Sequence, residues 1–214
     1  MMNKIFKLFL ATAAVAMTFT ATAQMSGKEL SKELKDRVEK DCRKDAKQLE
    51  KDGWRTAPGA LSLEKQLQIT RYAMLDKTSE GADVYSTATH IVTAANYSIA
   101  KGMGQSRASN ELAANLKNEV KEMVENSMAN QGVTPQEMEA VDQFLSKSSS
   151  TASAKLQGVK TTFEATRDKG GMVEYQVTIV LKKAEAIEQL KAAMEKAMKS
   201  ENSAALWSKV EGAF

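Results

Sequence analysis

Cysteine and histidine, the side chains that most often bind transition metals or act as nucleophile and base, each occur once in this chain, as Cys42 and His90. A single cysteine excludes an internal disulfide. A zinc or copper site needs several nitrogen or sulfur ligands, and this chain has almost none to offer. A serine nucleophile scheme also lacks support, because no G-x-S-x-G motif accompanies His90.

Aromatic residues are sparse, at 6% of the chain, so Leu, Val, Ile, Ala and Met must build most of the core. Hydrophobic content of 43% and charged content of 27% are ordinary for a folded globular protein. The formal net charge is +3, and Lys4 and Lys7 belong to a predicted export signal, which leaves the mature chain at about +1. Such a nearly neutral chain does not predict a nucleic-acid partner.

An apolar run at the N-terminus indicates a secretory signal peptide. Two lysines supply a positive n-region, the apolar stretch Leu8–Phe19 follows, and Ala21-Thr22-Ala23 matches the A-x-A pattern of signal peptidase. We therefore predict cleavage between Ala23 and Gln24 and a periplasmic or secreted protein. The run is too short to span a membrane, so no transmembrane segment is expected in the mature chain. Gln24 stands where a lipoprotein has its cysteine, so no lipid anchor is expected.

Residues 26–52 predict a highly charged helix, with Ser26 and Glu29 as its capping box. A narrow apolar stripe recurs along it at Leu30, Leu34, Val38, Cys42, Ala46 and Leu49. Spacing by four residues drifts around a helix and is not a heptad, which favours a solvated helix lying on the domain over an interaction arm or coiled-coil strand. On this stripe Cys42 is expected to act as a small hydrophobe, with an intermolecular disulfide as the alternative.

The next segments predict a helix, a strand and a second, longer helix. Ser62 caps the first helix over 63–77, and the β-branched and aromatic residues of 83–93 predict the strand. Apolar residues at helical spacing then predict a helix from Ala94 to Gln131. Its first part carries small side chains, which would let the helix approach a sheet closely. The helix is expected to begin or bend near Gly104.

The sequence Thr134-Pro135-Gln136-Glu137 is a strong helix start, and that helix is predicted to fade in the polar stretch Ser146–Ser150. Two period-two runs follow and are joined by Asp168-Lys169-Gly170-Gly171, which predicts an antiparallel hairpin. One face of the first run would carry Val159, Thr161, Phe163 and Ala165, and one face of the second Val173, Tyr175, Val177, Ile179 and Leu181. Helices are predicted again over residues 184–214.

These elements predict an α+β fold: a small three-stranded antiparallel sheet, ordered strand-helix-strand-strand, packed on one long helix with additional N- and C-terminal helices. The predicted organisation is a signal peptide (1–23), a charged helical arm (24–52), an α+β domain (53–183) and C-terminal helices (184–214).

Over roughly residues 54–183 the chain resembles the LPP-twenty family of bacterial envelope lipoproteins and the related N-terminal domain of the flagellar accessory T protein. The resemblance rests on Gly53-Trp54 with Pro58 nearby, on the small segment Ala100–Gly104 followed by Ala108, Ala113 and Ala114, and on the strand Tyr175–Leu181. It implies a helix cradled by a small antiparallel sheet, an envelope location and no enzymatic activity. The resemblance implies no catalytic residues. The chain departs from the family pattern because it lacks the lipidated cysteine.

Three further features could carry chemistry, and each has a simpler structural interpretation. Gly102-Met103-Gly104 lacks the third glycine of a dinucleotide fingerprint, so close helix packing explains it better, with an anion bound by Arg107 at a helix start near Ser106 as the alternative. Glu119, Glu122 and Glu125 are typical of a solvated helix face. Trp54 and Trp207 are expected to plug the ends of the core. No catalytic, cofactor-binding or metal-ligating residue is predicted.

We therefore expect a non-catalytic exported envelope protein that acts through protein–protein interaction or self-assembly. Its partner would be an envelope protein or a second copy of the chain, bound through exposed helices around the small core, especially 26–52 and 184–213. Two alternatives remain open. One is a periplasmic small-molecule-binding protein, and the other is a carboxylate-dependent hydrolase, which the abundance of Asp and Glu leaves possible in principle.

Overall fold

The computed structural model describes residues 27–129, 134–153 and 157–214. The predicted cleavage site at Ala23–Gln24 and the cap Ser26 lie outside them. The elements in chain order are α1 (Gly27–Lys51), β1 (Arg55–Thr56), α2 (Leu63–Leu75), β2 (Tyr85–Ala94), α3 (Tyr97–Met128), α4 (Pro135–Ser153), β3 (Lys160–Lys169), β4 (Met172–Lys182), α5 (Lys183–Ser200) and α6 (Ala204–Val210), with a 3₁₀ turn at Glu211–Ala213. Every contact described below lies within Arg37–Phe214, which forms one compact unit.

The sheet has four antiparallel strands in the order β1-β3-β4-β2, so the α+β class is confirmed and the predicted three-stranded sheet is wrong. The additional strand is β1, in which Arg55 and Thr56 pair with Thr166 and Ala165 of β3. Two residues are too few to show a period-two pattern, and this strand exists because β3 offers it a pairing edge.

The predicted hairpin is confirmed, with β3 and β4 joined through Gly170 and Gly171. Both glycines have positive φ, 64° and 81°, as a tight hairpin turn requires. The predicted face of the first run is wrong, because a β-bulge lies between Thr161 and Phe163. Thr161 is opposite Ile179 and Phe163 is opposite Thr178, so the two side chains lie on different faces of the sheet.

The long helix α3 packs across β2 and β4, and it begins at Tyr97, close to the predicted start at Ala94. Asn96 caps it by accepting a hydrogen bond from the Ile99 N–H at 3.0 Å, so Gly104 lies inside the helix and is not its start. A Cβ at Gly104 would stand 2.8 Å from Cδ1 of Tyr175, whereas one at Gly102 would meet nothing within 4 Å. Close approach to the sheet therefore explains Gly104 only.

The second half of α3 leaves the sheet and enters a separate helical core. This core combines side chains of α3, α4, α5 and α6, which are Val120, Val124, Met128, Val141, Phe144, Leu145, Leu190, Met194, Met198, Trp207 and Val210. The C-terminal helices are therefore packed elements with one buried face each. The predicted fading of α4 after Ser146 is wrong, since the helix continues to Ser153 and buries Ser148 on the way.

The start of α4 is confirmed in detail. The Thr134 hydroxyl oxygen accepts from the Glu137 N–H at 3.3 Å, and the Glu137 carboxylate accepts from the Thr134 N–H at 2.8 Å, which is a reciprocal capping box. Lys209 on α6 also donates to Glu137 at 2.5 Å. Lys209 and, after it, the Thr134 backbone lower the pKa of Glu137 to about 2.

The apolar stripe of α1 is buried at Val38, Cys42, Ala46 and Leu49. Polar contacts join this helix to α2, including the ion pair between Asp45 and Arg71. The burial agrees with a helix that lies on the domain. Among the described residues, no helix combines the length and the apolar character needed to cross a membrane.

Candidate functional site

The two single residues, Cys42 and His90, occupy structural positions. Cys42 is completely buried, and burial raises the pKa of its thiol, partly opposed by Arg71. An intermolecular disulfide would therefore require local opening of the fold. His90 lies on β2 with its Nε2 2.6 Å from Oε2 of Glu111. Within the described ranges, no group of three or more His, Cys, Asp or Glu side chains could hold a metal ion.

The other residues singled out by sequence do not converge either. Arg107 lies ten residues inside α3, so the predicted anion site at a helix start is wrong. Glu119 binds Lys183 at 2.8 Å, whereas Glu122 and Glu125 are exposed, which fits a solvated face. The side chains of both tryptophans are buried: Arg167 stacks on Trp54 with 4.6 Å to its ring centre, and Trp207 packs near Phe214.

A buried ion cluster lies where β3 meets β4. The Glu174 side chain is only 3% exposed and accepts from Arg167 at 2.5 Å and from Lys169 at 2.6 Å. Burial by itself would raise the pKa of Glu174, but the bonds from Lys169 and Arg167 outweigh it and hold the pKa below its ordinary 4.5. Because the carboxylate is already neutralised, we interpret this cluster as structural.

A second polar cluster joins the first turns of α3 to the sheet. The Tyr175 hydroxyl donates to Glu164 at 2.8 Å, and Lys101 lies 3.2 Å from the same carboxylate and 3.3 Å from the Tyr97 hydroxyl. Burial and the bond to Glu164 raise the pKa of Tyr175. Burial lowers the pKa of Lys101, but its bonds to Tyr97 and Glu164 raise it overall. Both groups therefore keep their ordinary protonation at neutral pH, and neither is prepared for proton transfer.

Gln176 gives a prediction about stability. Its side chain is fully buried on β4, and neither Oε1 nor Nε2 has a hydrogen-bond partner among the described residues. Replacing such an amide by an apolar side chain of similar volume removes an uncompensated desolvation cost. We expect Gln176→Met to raise the free energy of unfolding by about 1–2 kcal/mol, measured by urea denaturation.

The control for this variant is Thr178→Val on the same strand face. The Thr178 hydroxyl is 2.8 Å from that of Thr89, so its removal breaks a formed bond and should not stabilise the protein. A loss of stability in Gln176→Met would show that the amide has a partner that this interpretation omits.

One open cleft, of about 590 Å³, lies between the turn before β3 and the first turns of α5. Its lining includes the carboxylates of Glu185 and Glu188. Gln157 and Gln189 close one side of it with two reciprocal hydrogen bonds, at 3.0 and 3.2 Å. The cleft is wide open to solvent, whereas small-molecule sites are usually enclosed.

The most distinctive surface is the outer edge of β2. All ten residues of this strand pair with β4 on one side, and among the described residues no strand pairs with the other side. The strand, YSTATHIVTA, contains no Lys, Pro, Gly or carboxylate, and its register is continuous without a bulge. It therefore lacks the lysines, prolines and bulges by which proteins often protect an edge strand. At the opposite side of the sheet, β3 carries several charges and is partly covered by β1.

The backbone groups that face outward from β2 follow from its ladder with β4. The Lys183 N–H donates to the Val84 carbonyl at 2.9 Å, whereas the Val84 N–H donates to the Asp76 carbonyl at 3.1 Å. From the Val84 carbonyl onward, alternate residues therefore point their backbone groups toward β4. The residues between them point N–H and C=O groups away from the sheet, and these are Tyr85, Thr87, Thr89, Ile91 and Thr93. All five side chains are half-buried.

An apolar flank of α3 lies beside this edge. Glu111 contacts His90 on β2, whereas Lys101 contacts Glu164 on β3, so the two flanks of α3 face opposite sides of the sheet. Ile99 and Met103 precede Glu111 by three and by two helical turns, and because each four-residue step drifts by about 40° around the helix, Met103 stays nearer that flank than Ile99 does. They are 49% and 37% exposed, so the β2 side of α3 presents apolar surface to solvent.

The sequence predicted β2 close to its observed bounds but did not identify it as an edge strand. The absence of charge in 85–94 was the available signal, yet only the spatial order of the strands puts β2 at an edge. Comparison of the chain with protein-family models, with curated proteins and with solved structures finds no match. The resemblance to the LPP-twenty family stays a prediction.

Proposed function

We propose that this is a non-catalytic, exported cell-envelope protein that acts through protein–protein contact or self-assembly, with the outer edge of β2 as its contact surface. The observation that carries the proposal is the ten-residue edge strand with no charge protection, beside the exposed Ile99 and Met103. Such an edge offers backbone donors and acceptors to another strand, which is a common mode of protein recognition. This replaces the helices at 184–213 as the expected contact, because their apolar faces are already buried.

The alternatives have weaker support. The open cleft beside Glu185 favours a small-molecule-binding protein, but it is open to solvent and would enclose little of a bound molecule. A carboxylate-dependent hydrolase needs a carboxyl group with a raised pKa, whereas the cationic partners of Glu137 and Glu174 lower the pKa of both.

Photo-crosslinking in the protein's own cells tests the proposal. A photoreactive amino acid at Thr87, on the outward side of β2, should give a discrete crosslinked product in the envelope fraction, because a paired strand would lie within reach of that side chain. Leu61 is the matched control, since it is 57% exposed and directly follows β1, the strand at the opposite edge of the sheet, in the chain, and it should give no such product. Retention of the protein in the cytoplasm, or the same product from both positions, would contradict the proposal.

A further inference from the structure

We propose that the partner of this edge is a second copy of the chain, paired antiparallel about Thr89 so that two four-stranded sheets become one continuous sheet. This inference rests on the proposed contact role of β2. Self-pairing is supported by the backbone register, the chemistry of the facing side chains, the spacing of the helices and the charges of the helices.

The register follows from the outward-facing residues. A two-fold axis perpendicular to the sheet keeps the corresponding faces of the two sheets on the same side. It then lies between the two copies of β2 at the level of one residue, and that residue faces its own copy. Centred on Thr89, it pairs Thr89 with itself, Thr87 with Ile91 and Tyr85 with Thr93. All the outward backbone groups are then used, which gives roughly ten hydrogen bonds.

The facing side chains are compatible in this register. Thr89 meets Thr89 of the second copy, and threonine pairs are favourable across antiparallel strands. His90 is the only histidine of the strand, and it faces Ala88 of the second copy. No charges of like sign therefore stand opposite each other along β2. An uncharged strand of this kind is complementary to itself, which favours a second copy over a partner of opposite charge.

The helices that cover the sheet fit the same arrangement. The long helix packs against both β2 and β4, with its closest approach at Gly104 to Tyr175 on β4. With strands about 4.8 Å apart, edge pairing would place the two α3 axes about 10 Å apart where each lies over the gap between β2 and β4, and about 14 Å apart where each lies over β4. Packed helices lie about 8–10 Å apart, so the sheets would join without a clash and the facing side chains of the two helices would come within reach of each other.

The charges of the facing helix flanks are also complementary. Arg107 is exposed and has no ion-pair partner within the described residues, and Glu111 lies one turn further along the same flank. The two helices would run antiparallel near the axis, so Arg107 of each copy would approach Glu111 of the other. The same contact would cover Met103, which precedes Arg107 by one turn.

Sedimentation equilibrium of the protein purified from its own cells tests the inference, and we expect a dimer. Thr87→Pro should weaken the dimer by about 100-fold or more, because it removes an outward N–H from each copy. No bond to β4 is lost, since that N–H points away from it. Met103→Lys should weaken the dimer by about tenfold, whereas Leu61→Lys, at an exposed site next to β1 on the opposite edge of the sheet, should not change it.

Cysteine crosslinking fixes the register and does not depend on the proline variant folding. Facing residues of this kind have Cα atoms about 5.5 Å apart, within the range of a disulfide. Thr89→Cys should therefore crosslink to itself on mild oxidation, whereas Tyr85→Cys, which the register sets opposite Thr93, should not. The unmodified protein with its buried Cys42 is the blank.

The outcomes separate the two proposals. A chain that is monomeric at all concentrations, or a dimer that survives Thr87→Pro and Met103→Lys, overturns self-pairing. If a monomeric chain still gives a crosslink from Thr87 to a different protein in cells, the edge is a contact surface and only the identity of its partner is wrong. If neither a dimer nor a crosslink forms, both proposals fail.

Discussion

Arg167→Met is expected to lower the free energy of unfolding by about 3 kcal/mol at pH 7, because it leaves a buried carboxylate with one partner in place of two. Arg167 donates to Glu174 at 2.5 Å, donates to the Asp52 carbonyl at 3.2 Å and stacks on the buried Trp54 ring. The methionine retains the volume of the side chain but none of these polar contacts. Urea denaturation of both proteins measures the difference.

The matched control is Lys169→Met, which removes the other cation from the same carboxylate. The Lys169 side chain is 54% exposed whereas that of Arg167 is 18% exposed, so water can replace the lysine and the loss should be about 1 kcal/mol or less. Equal losses of unfolding free energy in the two variants would show that the greater burial of Arg167 does not determine the size of the loss.

The same pair of variants predicts a dependence on pH. The pKa of Glu174 lies below its ordinary 4.5, so its ion pairs stabilise the protein above that pH and lose their effect as the pH falls below it. Without Arg167 the burial of Glu174 is less compensated, and its pKa moves upward. The penalty of Arg167→Met should therefore be largest near neutral pH and should shrink on acidification below about 4.5. A penalty that does not vary between pH 7 and pH 4 would contradict this account.

Gly104→Ala and Gly102→Ala are expected to change stability in opposite directions, although the two glycines are two residues apart on one helix. At Gly102 a methyl group meets nothing within 4 Å, so the better helix propensity of alanine should stabilise by about 0.5–1 kcal/mol. At Gly104 the methyl group would stand 2.8 Å from the ring of Tyr175. The overpacking should outweigh the gain in propensity and give a net loss of about 1–2 kcal/mol.

The Tyr175 ring has little freedom to move away from such a methyl group. It is fully buried, its hydroxyl donates to Glu164 at 2.8 Å, and its ring lies edge-on to Tyr97 with centres 5.9 Å apart. Gly104→Ala should therefore also disturb the near-ultraviolet circular dichroism of the tyrosines, whereas Gly102→Ala should leave it unchanged. Stabilisation by both alanines would show that α3 does not require glycine for its approach to the sheet.

Local signals explain which elements could be predicted. The capping box of Thr134 and Glu137 and the hairpin through Gly170 and Gly171 depend on residues that are close in sequence, and both are confirmed. The cap at Ser62 is also confirmed, since its hydroxyl oxygen accepts from the Lys65 N–H at 3.4 Å. In each case the residues carry their own geometric requirement, whatever they later pack against.

Contacts between distant segments explain what could not be predicted. Strand β1 needs the edge of β3, more than a hundred residues away in sequence. The bulge at Thr161–Phe163 is accommodated by a side-chain bond between Thr162 and Thr70 at 3.0 Å, across 92 positions. The candidate contact surface could not be predicted for the same reason. The segment YSTATHIVTA has the pattern of an ordinary strand, and only the order of the strands in the sheet shows that it lies at an edge.

The sequence by itself determined the α+β class, the positions of most helices and strands and the scarcity of residues for metal or nucleophile chemistry. These properties are set by periodicity, capping and composition, which are local or additive along the chain. Only the tertiary structure decided that there are four strands, that the C-terminal helices are buried in a second core and that β2 lies at an open edge. The physical reason is that strand order and burial arise when segments far apart in the chain compete for the same partners, and no single segment encodes the outcome.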